Sequence, residues 1–201
     1  MGLISNGSTV FDNGSMSSGF GSSLRFISKQ TASASANISF TSGIDSSYKE
    51  YLFTFNNIHP QTDGAIFQFN LSTDGGSNYN VTKTSTMFSA YHNESGDQTD
   101  LSYRTPGDLA QSTAFQNIAS PDSISSDNDH SLSGTFTIFN PSSTTFVKHF
   151  MSNCSHNNVS DFEINVFLAG YGNTTSAVDG IRFQMNSGNI DAGDICLYGI
   201  A

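Results

Sequence analysis

Between Tyr51 and Asn80 the large apolar residues recur at every second position in two runs. Tyr51, Phe53 and Phe55 share one side of an extended segment, and Phe67, Phe69 and Leu71 share one side of the next. A side-chain period of two marks a half-buried strand. His59-Pro60 and Asp63-Gly64 punctuate the connection, and Asp74-Gly75-Gly76 ends the second run. The same plan fills most of the chain. Leu24 to Ser28 reads as a first strand, residues 31–37 as a small, polar stretch, and Ile38 to Phe40 as a short strand. Residues 79–91 are Thr-rich and β-prone, with Thr84, Thr86 and Phe88 on one face and Met87 and Tyr91 on the other.

Residues 92–108 are turn and loop material in which Leu101 and Tyr103 form a short pairing. Residues 109–119 fit a helix poorly, and strand is the preferred reading. Residues 120–130 read as an exposed acidic loop. Beyond it Leu132, Phe136 and Ile138 alternate, Phe146 and Phe150 mark the next strand, and Phe162, Ile164, Val166 and Leu168 alternate without a break. Ile181, Phe183 and Met185, then Ile195 and Leu197, complete the series. About ten short strands, punctuated by turns and without an amphipathic helix, predict an all-β chain. The expected fold is an antiparallel two-sheet sandwich of jelly-roll type over residues 24–201. It is preceded by an extended N-terminal arm, residues 1–23, in which Leu3, Ile4, Val10, Phe11 and Phe20 stand apart in Gly/Ser/Asn text. The arm reads either as a frayed terminus or as a segment that orders on a neighbour.

Composition sharpens this in two respects. Only 36% of residues are apolar and 12% charged, yet there are 17 Phe, so the apolar content sits in large side chains and suits a folded core under a neutral surface. The formal charge of −10 leaves few cations to replace the counterions of a nucleic acid or to meet an anionic membrane surface, so neither is an expected partner. No basic start followed by an apolar run is present near Met1, and no apolar stretch reaches the length of a membrane helix, so synthesis in a cytosol is expected. Cys154 and Cys196 are then expected as small buried residues rather than a disulfide.

Candidate chemistry is sparse. His59, His92, His130, His149 and His156 are scattered, and His149 and His156, seven apart, fall on opposite faces of an unbroken strand. Loop or edge histidines describe them better than zinc ligands. Asp122, Asp127 and Asp129 cluster near His130 as a candidate calcium loop, without the glycine and terminal glutamate of an EF-hand. There is no G-x-S-x-G elbow and no phosphate-binding glycine motif. A carboxylate pair meeting only in space would suit a glycosidase, but the chain has no Trp on which to stack a sugar. Sequons such as Asn37-Ile38-Ser39, Asn80-Val81-Thr82 and Asn173-Thr174-Thr175 are what a chain rich in Asn, Ser and Thr contains by chance. No cofactor is expected.

The opening MGLISNGSTVF, the run from Ile38 to Asn80, NPSSTTFVKHF (140–150) and AGYGNTTSAVDGIRFQMNSGNIDAGDICLYGI (169–200) resemble a family of virion structural proteins of tailed phages, widespread in marine phages. The likeness spans nearly the whole chain and rests on strand-and-turn text, so it carries over no site residue. It implies a particle component made in the host cytoplasm, with other virion proteins (major capsid protein or tail components) and further copies of itself as partners. The first expectation is a non-enzymatic capsid-decorating or cement protein that binds the head through its arm and by self-association. The alternative is a tail-fibre or receptor-binding module that reads host surface glycans through loops 92–108 and 120–130. A glycan-degrading enzyme is the third.

Overall fold

The computed structural model describes residues 23–119 and 123–201, together with the backbone of the strands Leu3–Ser5, Ser8–Asp12 and Ser15–Met16. Those three, β1 to β3, pair in order as a small antiparallel sheet. Phe20 and Asp122 lie outside the described residues, as do the side chains of Leu3, Ile4, Val10 and Phe11.

The remaining strands are β4 (Leu24–Ser35), β5 (Ile38–Phe40), β6 (Glu50–Pro60), β7 (Phe67–Ser72), β8 (Lys83–Asn93), β9 (Thr99–Tyr103), β10 (Gln116–Asn117), β11 (Leu132–Phe139), β12 (Lys148–Asn157), β13 (Phe162–Gly172), β14 (Gly180–Met185) and β15 (Ile190–Ile200). They form two antiparallel sheets, a wide one in the order β4-β15-β6-β11-β12-β13-β8-β9 and a narrow one in the order β10-β7-β14-β5. The fold is thus the all-β two-sheet sandwich that the alternation implies. The runs on either side of Gln61 do not form a hairpin: β6 belongs to the wide sheet and β7 to the narrow one. Their apolar sides therefore meet across the core.

That core is aromatic. Phe183 on β14 lies within 5.2–6.5 Å, centroid to centroid, of Phe40, Phe53, Phe55, Phe67 and Phe136, and Phe69 sits 4.6 Å from Phe136 and 5.1 Å from Phe150. Most of these contacts are edge-to-face or tilted, which the ring quadrupole favours at about 0.5–1.5 kcal/mol per pair beyond area burial. Gly170 makes room for one of them: a Cβ there would come within 2.6 Å of the Phe150 ring.

Four expectations need correction. The first strand does not stop at Ser28: β4 runs on to Ser35, and the backbone of Ala32, Ser33 and Ser35 pairs with β15 at the sheet edge. In residues 109–119 only Gln116–Asn117 is strand. The segment is held instead by bonds to the wide sheet, with Lys83 and Ser112 exchanging backbone bonds and Leu109 N–H donating to Ser85 Oγ. Phe146 precedes β12 and is exposed. The loop after Asp122 is not wholly exposed, because Ile124 and Ser125 are buried and Ile124 bridges Ala65 and Asn158.

Candidate functional site

The two sheets differ in what their non-core faces carry. On the narrow sheet the positions that alternate with the core are polar, and the chain's own loops cover them. Gln68 donates to Asn117 Oδ1 (2.6 Å), Asn70 donates to the carbonyls of Tyr79 (2.7 Å) and Thr113 (3.0 Å), and Arg182 stacks 4.0 Å over the Tyr79 ring.

On the wide sheet the outward positions include a band of large apolar side chains that none of the described residues covers. The register builds it row by row. Tyr103 pairs with Phe88, Phe88 with Phe167, and Phe167 with Asn153. In the next row Thr86 pairs with Ala169, Ala169 with Met151, and Met151 with Thr137. Phe88 and Phe167 stack at 4.9 Å with planes 9° apart. Exposure reaches 68% for Leu101, 56% for Met151 and 54% for Tyr103. At the far edge Phe26 packs edge-on to Tyr198. Among the described residues, Leu24, Phe146 and Val159 are the other large apolar residues that are exposed. Between the Phe88–Phe167 ridge and Phe139 lies an open groove of about 460 Å³, floored by Thr86, Thr137, Met151 and Ala169, with no charged side chain in its wall. Tyr103 donates to the Asp108 carboxylate, which holds its hydroxyl above the ordinary tyrosine pKa.

A second concavity, about 380 Å³, is polar. Asn57, His59, Asn128, Asp129, His130 and Asp191 line it. Bulges make it: register slips on both sides of β6 near Asn57, whose φ is +51°, and opposite it Gly193 takes a φ of +120°. A Cβ at Gly193 would lie 2.6 Å from the Asn57 carbonyl, so only glycine fits. His59 Nε2 lies 3.2 Å from the Asp127 carbonyl and Nδ1 lies 3.6 Å from the Asp191 carboxylate.

The other sequence candidates are dispersed. His92 and His149 lie on the outward face of the wide sheet, whereas His156 is buried in the core layer. Asp127 and Asp129 border the polar pocket. Among the described residues no three of His, Cys, Asp and Glu are grouped to hold a metal. Cys154 and Cys196 are buried and unpaired as thiols, and burial pushes the Cys154 pKa up to about 12, which makes it a poor nucleophile. Two lysines are also buried. Lys83 Nζ donates to Asn70 Oδ1 (2.5 Å) and the Val81 carbonyl (2.8 Å), and burial lowers its pKa to about 7. Lys148 donates to the carbonyls of Phe146 (2.7 Å) and Thr174 (3.2 Å), and burial lowers its pKa too.

The outward band was not singled out from sequence, although a signal for it exists. Met87-Phe88, Phe150-Met151 and Phe167-Leu168 place apolar residues on successive positions, so both faces of those strands are apolar. Comparisons with protein families, curated proteins and solved structures found no significant match for this chain.

Proposed function

We infer that this chain is a non-enzymatic structural protein of a tailed-phage particle, a capsid-decorating or cement protein that works by packing against other proteins and against copies of itself. The bare apolar band on the wide sheet carries this reading. A contiguous exposed apolar surface rimmed by polar residues is what an assembly contact requires. The resemblance of nearly the whole chain to phage virion proteins supplies the kind of assembly. The N-terminal arm, with Leu3, Ile4, Val10, Phe11 and Phe20, is the second grip. Immunogold electron microscopy of intact particles with antibody to this chain is the test: label over the head is expected, and unlabelled particles would overturn the reading. Removing residues 1–23 should leave the domain folded and abolish particle binding. Binding at full strength would remove the arm from the account.

The polar pocket favours a second reading, a tail-fibre or receptor-binding module for host surface glycans. Its amides, carboxylates and imidazoles can bond sugar hydroxyls, and Asp127 and Asp129 stand at its border. On this reading gold labels the tail, and the isolated protein binds host cells in a calcium-dependent way. No cell binding at micromolar concentration counts against it.

A further inference from the structure

We propose that a second copy of this chain packs on the outward face of the wide sheet, the two copies related by a twofold axis and the ridge of each seated in the groove of the other. The proposal rests on reading that face as an assembly surface, and it names the occupant.

Shape is the first argument. The face carries a protrusion and a depression side by side. The stacked Phe88–Phe167 pair stands beside the groove floored by Thr137 and Met151, with Leu101 and Tyr103 on β9, the edge strand next to the ridge. A surface with both knob and hole on one face is complementary to itself under a twofold rotation, and twofold contacts are the commonest closed association.

Charge is the second. The chain carries −10, so two copies repel over most of their surfaces. Uncharged groove walls let them approach. The charged groups nearest this face stand at its margins: Asp108 accepts from the Tyr103 hydroxyl at the β9 edge, Glu50 begins β6, Glu163 begins β13, and Lys29 and Asp194 pair with each other at 3.1 Å near the β4 edge. A basic partner finds no carboxylate in the groove to meet, and a nucleic acid finds no cation.

Area is the third. The band lies on the five strands from β11 to β9; at about 4.8 Å per strand and roughly 6.7 Å for each of four outward rows they present about 640 Å². That is close to the roughly 800 Å² per partner of a stable interface. An aliphatic small molecule in the groove would leave most of the band bare, including Leu101 and Tyr103.

The experiment is light scattering on the full chain across about 1–100 μM. Twice the 21.5 kDa chain mass is expected. Met151→Asp and Phe167→Asp each place a like charge in the contact and should raise the dissociation constant at least 100-fold. Met151 is 56% exposed in the single chain, so the melting midpoint of the Met151→Asp monomer should stay near the parent's, whereas Phe167→Asp also loses the stack on Phe88 and is checked for folding by far-UV circular dichroism. Val159→Asp, at an exposed apolar residue off this face, should leave the mass unchanged. A monomer at 100 μM overturns the proposal. So does a dimer that survives both aspartates, because its contact lies elsewhere. A trimer dispersed by them overturns the twofold arrangement. A monomeric chain on gold-labelled heads would sink the dimer and leave the particle role standing, whereas a dispersible dimer on unlabelled particles would do the reverse.

Discussion

The non-core faces of the two sheets were built in opposite ways. On the narrow sheet Gln68, Asn70 and Arg182 alternate with core residues; Gln68 and Arg182 bond to Asn117 and Ser39 on neighbouring strands, and Tyr79 and Thr113 from the adjoining loops meet Asn70, with Tyr79 also under Arg182. On the wide sheet Phe88, Met151 and Phe167 alternate with core residues, and no described residue covers them. Polar side chains on a covered face need hydrogen bonds, and these have them. Rings on an uncovered face are what the proposed second copy would bury. Apolar exposure and polar burial are both exceptions to the usual inside–outside rule.

The largest effect should come from what the two sheets share. Phe183→Ala removes a fully buried ring in contact with five others, and a loss of about 3–5 kcal/mol is expected from urea unfolding. Phe69→Ala should behave alike. A loss below about 1 kcal/mol would mean that the sandwich is not wedged on these rings, and the contrast between its outer faces would lose its common reference.

Lys83 tests the covered side. Its ammonium is buried against Asn70 and Val81, with two acceptors and no carboxylate, which a neutral amine with two N–H bonds satisfies. The folded pKa of about 7 lies below the unfolded 10.5. Between those values the unfolded chain binds more protons, so stability rises as pH goes from about 7 to about 10.5 and is flat below. At about 1.36 kcal/mol per pKa unit the rise amounts to a few kcal/mol. Lys83→Met should remove most of it, leaving the contribution of Lys148. Urea midpoints of both chains at pH 6.5 and 9.5 measure the difference, and parallel pH profiles would show that the amine is solvated after all.

How much of this was legible in the sequence follows from the same contrast. The inward face was readable because Phe53, Phe55, Phe67, Phe69 and Phe183 obey a local period, and local periods are written in the text. Partner choice was not. Ile195 lies beside Phe55, some 140 positions away in the chain, and no turn dictates that pairing. The first strand read as ending at Ser28 because the small polar side chains of residues 31–35 carry no period, yet an edge strand needs only backbone bonds on one side. Residues 109–119 read as strand because no signal distinguishes a ladder from a loop tied down by Lys83 and Ser85. The polar pocket was half visible, through Asp127, Asp129 and His130. Its other half arrives through bulges at Asn57 and Gly193, which depend on both neighbours of β6. The outward band was written in the doublets Met87-Phe88 and Phe167-Leu168, which break the alternation and lie directly across from each other.

The smallest effects make the sharpest comparison, since they exchange the two characters. Gln68→Leu puts an apolar side chain on the outer face of the narrow sheet, beside Asn117 of β10. It removes the 2.6 Å bond that the Asn117 side chain accepts, and losing a part-buried hydrogen bond costs about 1 kcal/mol. Met151→Gln puts a polar side chain on the wide sheet at a position already 56% exposed. The free chain should lose no more than about 0.5 kcal/mol, as for surface changes generally. In chemical denaturation of dilute protein, where association is absent, Gln68→Leu should therefore be the costlier exchange although it adds apolar surface. At high concentration the order can invert, because only Met151 gains a partner there. If Met151→Gln costs the dilute chain as much as Gln68→Leu, the band is held by contacts within its own chain, and the case for a face built for another molecule fails with it.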